Sequence, residues 1–265
     1  MQASINGITM VYDVAGPADG PAVVLHHPLA TTHKFWDHLT NGLKDRYRVL
    51  RFDARGHGGS DAPAGPYTFD TLSQDVIGLM DHAGIRTAGF VGLSMGGMVG
   101  QHLGLNHADR FNCLVLCATS SRVPPEGAAL WDQRAEAARK GGMASQLDAS
   151  LQRWLSPKAL QDKHPAIAWL SEMIKSTPVE GYAGWGGAIK TLNMTDKLGR
   201  ITLPTRIIGG ELDPSTNVAA HEIIHKAIKG SDLVIMKGVA HFPSAEAPDD
   251  YLGHVRSFLD KHCVA

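Results

Sequence analysis

Three cysteines in 265 residues are too few, and too unevenly placed, for a disulfide scaffold. Cys113 and Cys117 fall in one apolar run, "NCLVLCA", and Cys263 lies near the other end of the chain. An odd count with two members on one expected strand points to a reducing compartment, the cytoplasm. Charge of one sign is also missing. Twenty-five basic and 26 acidic residues leave a net charge of −1, with no electrostatic footprint for nucleic acid or an anionic membrane. No run approaches the roughly 18 apolar residues of a membrane span. The opening "MQASINGITMVYDVAG" lacks the basic start and apolar stretch of a secretory signal. Without such a signal, the "NMT" at 193–195 is not expected to carry a glycan. There is no internal repeat and no low-complexity tract.

What is present is alternation. "PAVVLHH" (21–27), "YRVLRFD" (47–53), "AGFVGL" (88–93), "NCLVLCA" (112–118), "TRIIGG" (205–210) and "DLVIMKG" (232–238) read as buried strands. Amphipathic stretches such as "TLSQDVIGLMDHAG" (71–84) and "MGGMVGQHLGLNHAD" (95–109) separate them. Apolar strands without strict alternation, spaced by helices, predict an α/β fold with a mostly parallel sheet covered on both faces. "SINGITMVYDVAG" reads as an antiparallel hairpin that opens the sheet. The rhythm breaks once, where helical runs cut by prolines at 124, 125, 157, 165 and 178 replace strands. This predicts a core of residues 1–121 and 196–265 with a helical lid, 122–195, inserted between two strands over the carboxyl-end crevice.

"GLSMG" (92–96) follows an apolar strand and opens a helix, the context that G-x-S-x-G requires. A strand that becomes a helix within one residue forces the serine into strained backbone angles, and Gly92 and Gly96 remove the Cβ atoms that would collide. Ser94 is the expected nucleophile. A serine hydroxyl needs a base, and the base an orienting acid, in the chain order Ser, Asp or Glu, His. Asp213 lies just past one later strand in "GGELDPST", and His241 just past the next in "KGVAHFPS". Glu211 is a rival acid, but Asp213 sits in the loop before Pro214, where its side chain can turn back into the crevice. For the oxyanion, the expected donors are the amides of Met95, after the nucleophile, and Leu29, because Pro28 has no N–H. His57, in "DARGHGGSD", reads as scaffold rather than as a second base.

"HHPL", "DARGHGGSD", "GLSMGGM", "ELDP" and "VAHF" resemble the α/β-hydrolase superfamily, and within it the 3-oxoadipate enol-lactone hydrolases. The resemblance runs nearly end to end and includes the lid pieces "LWDQRAEAARKGGM", "RWLSP" and "GYAGWGGAIKTLNMTDKLGRITLPT". It implies hydrolysis of an enol-lactone by Ser94, His241 and Asp213 without a cofactor or metal. A substrate of that type carries a carboxylate, which the resemblance would set against the lid residues Trp131, Arg134 and Trp154, with Arg153 beside the last. The chain departs from the family at His27-Pro28, where members usually show an Asn-Ser pair, and at "STNV" after the acid, where they tend to carry prolines.

Other readings are weaker. "HEIIH" (221–225) spells a zincin motif, but between two core strands Ile223 and Ile224 are expected to face the sheet and leave the histidines to solvent. His26, His27 and His33 lack metal-ligand spacing. A non-catalytic ligand receptor would not need all three triad members in order. A carboxylesterase, another lactonase, a carbon–carbon bond hydrolase or a perhydrolase could use the same triad. The expected partner is therefore a small ester or lactone, not nucleic acid or membrane, with oligomerisation left open.

Overall fold

The structure is a computed structural model, and it describes residues 1–264; Ala265, which closes the expected core segment, lies outside them. Eight strands form one sheet: β1 (Gln2–Ile5), β2 (Ile8–Ala15), β3 (Ala22–His26), β4 (Arg48–Phe52), β5 (Ala88–Leu93), β6 (Phe111–Cys117), β7 (Thr205–Gly210) and β8 (Asp232–Met236). Their order is β1-β2-β4-β3-β5-β6-β7-β8. β1 and β2 pair antiparallel, as do β2 and β4, while every pairing from β4 through β8 is parallel. This is the α/β-hydrolase fold. β5 is buried along its whole length because β3 and β6 flank it and helices cover both faces. Parallel pairing has a geometric consequence: the carboxyl ends of β3, β5, β7 and β8 reach one edge of the sheet, so the loops that follow them can meet.

Between β6 and β7 the chain leaves the sheet through the helices Pro125–Gly141, Leu147–Trp154, Pro157–Gln161, Ala166–Ser176 and Val179–Ile189. Pro125 and Pro157 stand in first turns, where a missing N–H costs nothing, and Pro165 and Pro178 sit just before helices. A short bridge pairs Arg122 with Asn193 and clasps the two ends of the excursion together. Backbone bonds from Val123 N–H to the Leu192 carbonyl (2.9 Å) and from Met194 N–H to the Ser121 carbonyl (2.7 Å) close it.

The helix Val179–Ile189 seats the excursion on the core through glycine. A Cβ on Gly181 would lie 1.9 Å from the Gly56 carbonyl oxygen, and one on Gly184 would press into the Tyr67 ring. The backbones approach more closely than any side chain permits. The indole of Trp185, on the same helix, donates to the Arg55 carbonyl at 2.7 Å. No helix is long and apolar enough to cross a membrane among the described residues.

The helix Val218–Ala227 corrects one expectation. Ile224 and His221 are fully buried, whereas Ile223 is 48% exposed. At about 100° per residue, positions 221, 224 and 225 share a face and 223 falls opposite, so the sheet-facing pair is His221 and Ile224.

Replacing Gly181 with Ala is expected to destabilise the fold by about 1–3 kcal/mol, since the new methyl group meets a carbonyl that cannot move independently. Calorimetric melting checks this, and an unchanged Tm would mean that the helix slides without cost.

Candidate active site

Ser94 lies between β5 and the helix Met95–Asn106 with φ 55° and ψ −112°. A Cβ on Gly92 would sit 2.3 Å from the Gly96 carbonyl oxygen, and one on Gly96 would sit 2.4 Å from that of His26. Glycine is therefore required on both sides of the bend. The Ser94 amide donates to the Cys117 carbonyl at 2.8 Å, which ties the bend to β6.

His241 and Asp213 arrive from the loops after β8 and β7. His241 Nε2 stands 3.0 Å from Ser94 Oγ, and His241 Nδ1 stands 2.7 Å from Asp213 Oδ2. Both His241 and Asp213 are buried. Asp213 Oδ1 accepts the amides of Ser215 (2.7 Å) and Thr216 (3.0 Å), and its Oδ2 also accepts the Thr216 hydroxyl at 2.7 Å. Burial alone would raise the pKa of this carboxyl. The charge of His241 and hydrogen bonds from His241 and Thr216 outweigh burial and hold the pKa below the usual carboxylate value. The arrangement supports proton transfer from the hydroxyl to the imidazole, with the acid fixing the ring's orientation.

The rival acid is used elsewhere. Glu211 pairs with Lys237 at 2.8 Å and accepts the Gly238 amide at 3.0 Å, at the surface. Glu246 is a brace, accepting the Ala240 amide at 2.8 Å and that of Ser156 in the lid at 3.0 Å. A second serine–histidine–aspartate contact exists, with Ser73 Oγ 2.9 Å from His102 Nδ1 and His102 Nε2 3.2 Å from Asp70. Ser73 is fully buried within a helix and its acid is exposed, the reverse of what a presented nucleophile needs.

A cavity of about 430 Å³ opens above Ser94 and His241. Leu29, Trp131, Arg134, Arg153, Trp154 and Tyr182 line it, so the structure brings Trp131, Arg134 and Trp154 to the same cavity as Ser94. The Arg134 guanidinium lies 4.8 Å from the centre of the Trp131 ring. Trp154 stacks on Phe242 at 4.7 Å, and Phe242 on His241 at 5.3 Å. Arg134 and Arg153 are half-buried, and burial lowers both from the ordinary arginine value. Arg153 is lowered further by repulsion from Arg134. Among the described residues no carboxylate pairs with either guanidinium; the side-chain contact of Arg153 is with Ser150 Oγ at 3.1 Å.

Met95, the first residue of its helix, has an amide with no carbonyl one turn back. Thr216 and Tyr182 of the site were not singled out from sequence. Thr216 could have been found from its place three residues after Asp213, where a hydroxyl and an amide fold back onto the acid. Tyr182 carried no local signal, because its position depends on how the lid sits. Among the described residues no group of three or more His, Cys, Asp or Glu side chains is placed to hold a metal. In "HEIIH", His221 contacts the Asn217 carbonyl and His225 the Ser231 hydroxyl.

These features are those of an α/β hydrolase, and the comparisons agree. The alpha/beta hydrolase fold family matches residues 21–248, and the chain belongs to that family. It is 32% identical to 3-oxoadipate enol-lactonase 2 of Acinetobacter baylyi, over 96% of this chain and 94% of that protein. The enol-lactonase crystal structure from Burkholderia xenovorans superposes with a TM-score of 0.94 at 35% identity, covering 98% of this chain and 100% of that one. A malate-bound thermophilic esterase from Thermogutta terrifontis gives 0.93 at 27% identity, covering 98% of each. The protein is a carboxylic-ester or lactone hydrolase.

Burial also sets the acid limit of the fold. It lowers His26 and His27 from 6.5 to about 3, and His57 and His221 to about 4, with neighbouring imidazoles adding repulsion. The unfolded chain takes up these protons near pH 6.5, and the folded chain refuses them until well below. Stability therefore falls as pH drops through 6.5 toward 4, each group contributing up to about 1.4 kcal/mol per pH unit. Melting curves between pH 7.5 and 4.5 should show a steep loss of Tm below 6.5, and a flat profile would contradict the neutral, buried rings.

Proposed function

We propose that this hydrolase opens a small enol-lactone bearing a carboxylate through an acyl-enzyme on Ser94. The observation that carries the reading is the 3.0 Å contact between Ser94 Oγ and His241 Nε2 at the floor of a cavity walled by Arg134 and Arg153, which no carboxylate pairs among the described residues. His241 takes the hydroxyl proton as Ser94 attacks the lactone carbonyl, and the amides of Met95 and Leu29 receive the oxyanion. Collapse of the tetrahedral intermediate breaks the ring C–O bond, and His241 returns the proton to the enol oxygen. The freed enol becomes a ketone. Water, deprotonated by His241, then attacks the acyl-enzyme and releases the acid and Ser94. Asp213 stays ionised throughout and stabilises the imidazolium.

The substrate carboxylate docks against Arg134 and Arg153, with Trp131 and Trp154 flanking the ring. Two cations that repel one another beside a half-buried pocket are relieved by an anion, which supports this assignment. The enol-lactonase relatives support the lactone. The malate in the esterase structure, itself a carboxylate, agrees with an anionic ligand.

Ser94→Ala is expected to lower kcat by on the order of 10⁴- to 10⁶-fold with the fold intact, measured on an enol-lactone and an aryl ester; a variant that keeps most activity removes the acyl-enzyme. Arg134→Met should raise KM for the anionic lactone by about tenfold or more and leave a neutral aryl ester nearly unchanged. Equal effects on both substrates would end the carboxylate assignment.

A further inference from the structure

We infer that His27, Thr31 and His57 are positioning residues that aim the Leu29 amide at the carbonyl oxygen under attack. The inference rests on Leu29 as an oxyanion donor, and it explains how a loop after β3 keeps one N–H directed into the cavity. The Pro28 carbonyl is held twice, by His27 Nδ1 at 2.8 Å and by the Thr31 hydroxyl at 2.8 Å. The Pro28–Leu29 peptide is trans, so its C=O and N–H point in opposite directions. Anchoring the oxygen within the protein turns the Leu29 N–H the other way. The next peptide is held as well, because the Ala30 amide donates to His57 Nε2 at 2.9 Å. Leu29 thus lies between two clamped peptides, and its own amide has no acceptor in the loop among the described residues.

The two rings can do this in one protonation state. The Ala54 amide donates to His27 Nε2 at 2.9 Å, so that nitrogen carries no proton, and the ring's single proton sits on Nδ1, facing the Pro28 carbonyl. His57 follows the same logic: Nε2 accepts from Ala30 and Nδ1 carries the proton toward the Arg55 carbonyl at 3.3 Å. Both rings are fully buried, and burial keeps both neutral far below pH 6.5. Ala30 has φ 54°, a left-handed conformation that a residue with a Cβ adopts only under constraint, and the bond to His57 supplies that constraint. His27-Pro28 is also where the chain departs from the enol-lactonase pattern. Proline removes the amide of position 28, so only the next residue can donate, and the imidazole is long enough to reach from the Ala54 amide to the Pro28 carbonyl.

The test compares Thr31→Val, which keeps shape and removes the hydroxyl, with Thr31→Ser, which restores it. For each, kcat, KM and the affinity of a trifluoromethyl ketone that forms a hemiketal oxyanion on Ser94 are measured alongside Tm. Thr31→Val should lower kcat about tenfold, leave KM within about twofold, and weaken the ketone by about the same factor as kcat, while Thr31→Ser recovers both. Wild-type kcat and ketone affinity in Thr31→Val would overturn the proposal. So would a loss of kcat without a loss of ketone affinity, which marks a merely structural role. If Thr31→Val does not fold, His57→Gln, which keeps an acceptor for Ala30, and His57→Leu, which does not, are judged by the same criteria. Failure here with Ser94→Ala still inactive removes only the clamp, whereas an active Ser94→Ala removes the acyl-enzyme beneath it.

Discussion

The crevice is organised by one residue at which a strand becomes a helix. Backbone angles such as those of Ser94 cost roughly 1–3 kcal/mol and persist only where the surroundings over-determine them. Here they do. The amide is spent on β6, the carbonyl accepts both the Met98 amide at 3.0 Å and the Thr119 hydroxyl at 3.0 Å, and β5 is locked between two parallel neighbours. A shift of the bend would break ladder bonds on both sides. The serine oxygen is thus fixed by the sheet rather than by a mobile loop, and that fixity gives a 3.0 Å contact with an imidazole 147 residues away its meaning.

The partners of Ser94 come from loops, which are ordinarily the soft part of such a fold. Each is stiffened by its own means. The Asp213 carboxylate folds the next three residues around itself and leaves one lone pair for His241. The His241 loop is stapled by Glu246, whose two oxygens reach the core on one side and the lid on the other. The Phe242 amide adds a bond to the Trp154 carbonyl at 3.1 Å. A charged acid in a buried site is costly unless hydrogen-bonded, and Asp213 is given enough donors to stay ionised at neutral pH.

Much of this was legible from local pattern. Ser94, Asp213 and His241 each follow an apolar run at its carboxyl end, so strand periodicity and chain order suffice to single them out, and the prolines at 125, 157, 165 and 178 mark helix starts without any tertiary knowledge. What escaped depends on long-range packing. The face that the helix Val218–Ala227 turns inward was misjudged because two adjacent isoleucines look like a buried stripe, although burying His221 with Ile224, about 60° apart, puts Ile223 on the opposite side. Asp213 was preferred to Glu211 for its place before Pro214, whereas the lysine that claims Glu211 follows the neighbouring strand and shows only in the fold. The place of Tyr182 in the cavity depends on how closely glycine lets the helix Val179–Ile189 approach Gly56, which no window of sequence contains.

The helical excursion between β6 and β7 meets the core through a shared acceptor as well as through apolar contact. The Arg55 carbonyl receives the indole N–H of Trp185 from the helix Val179–Ile189 and faces His57 Nδ1 from the core, and His57 in turn accepts the Ala30 amide beside Leu29. Three polar contacts therefore connect the seating of the helix Val179–Ile189 to the loop that carries Leu29. His26 and His57 also meet the Trp185 ring edge-on, at 5.7 and 6.1 Å. A shift of that helix from its seat would take the Trp185 indole away from the Arg55 carbonyl and its ring edge away from His57. A neutral buried imidazole can accept an amide on one ring nitrogen only while donating from the other, so the bonds of His57 to the Ala30 amide and the Arg55 carbonyl fix one another.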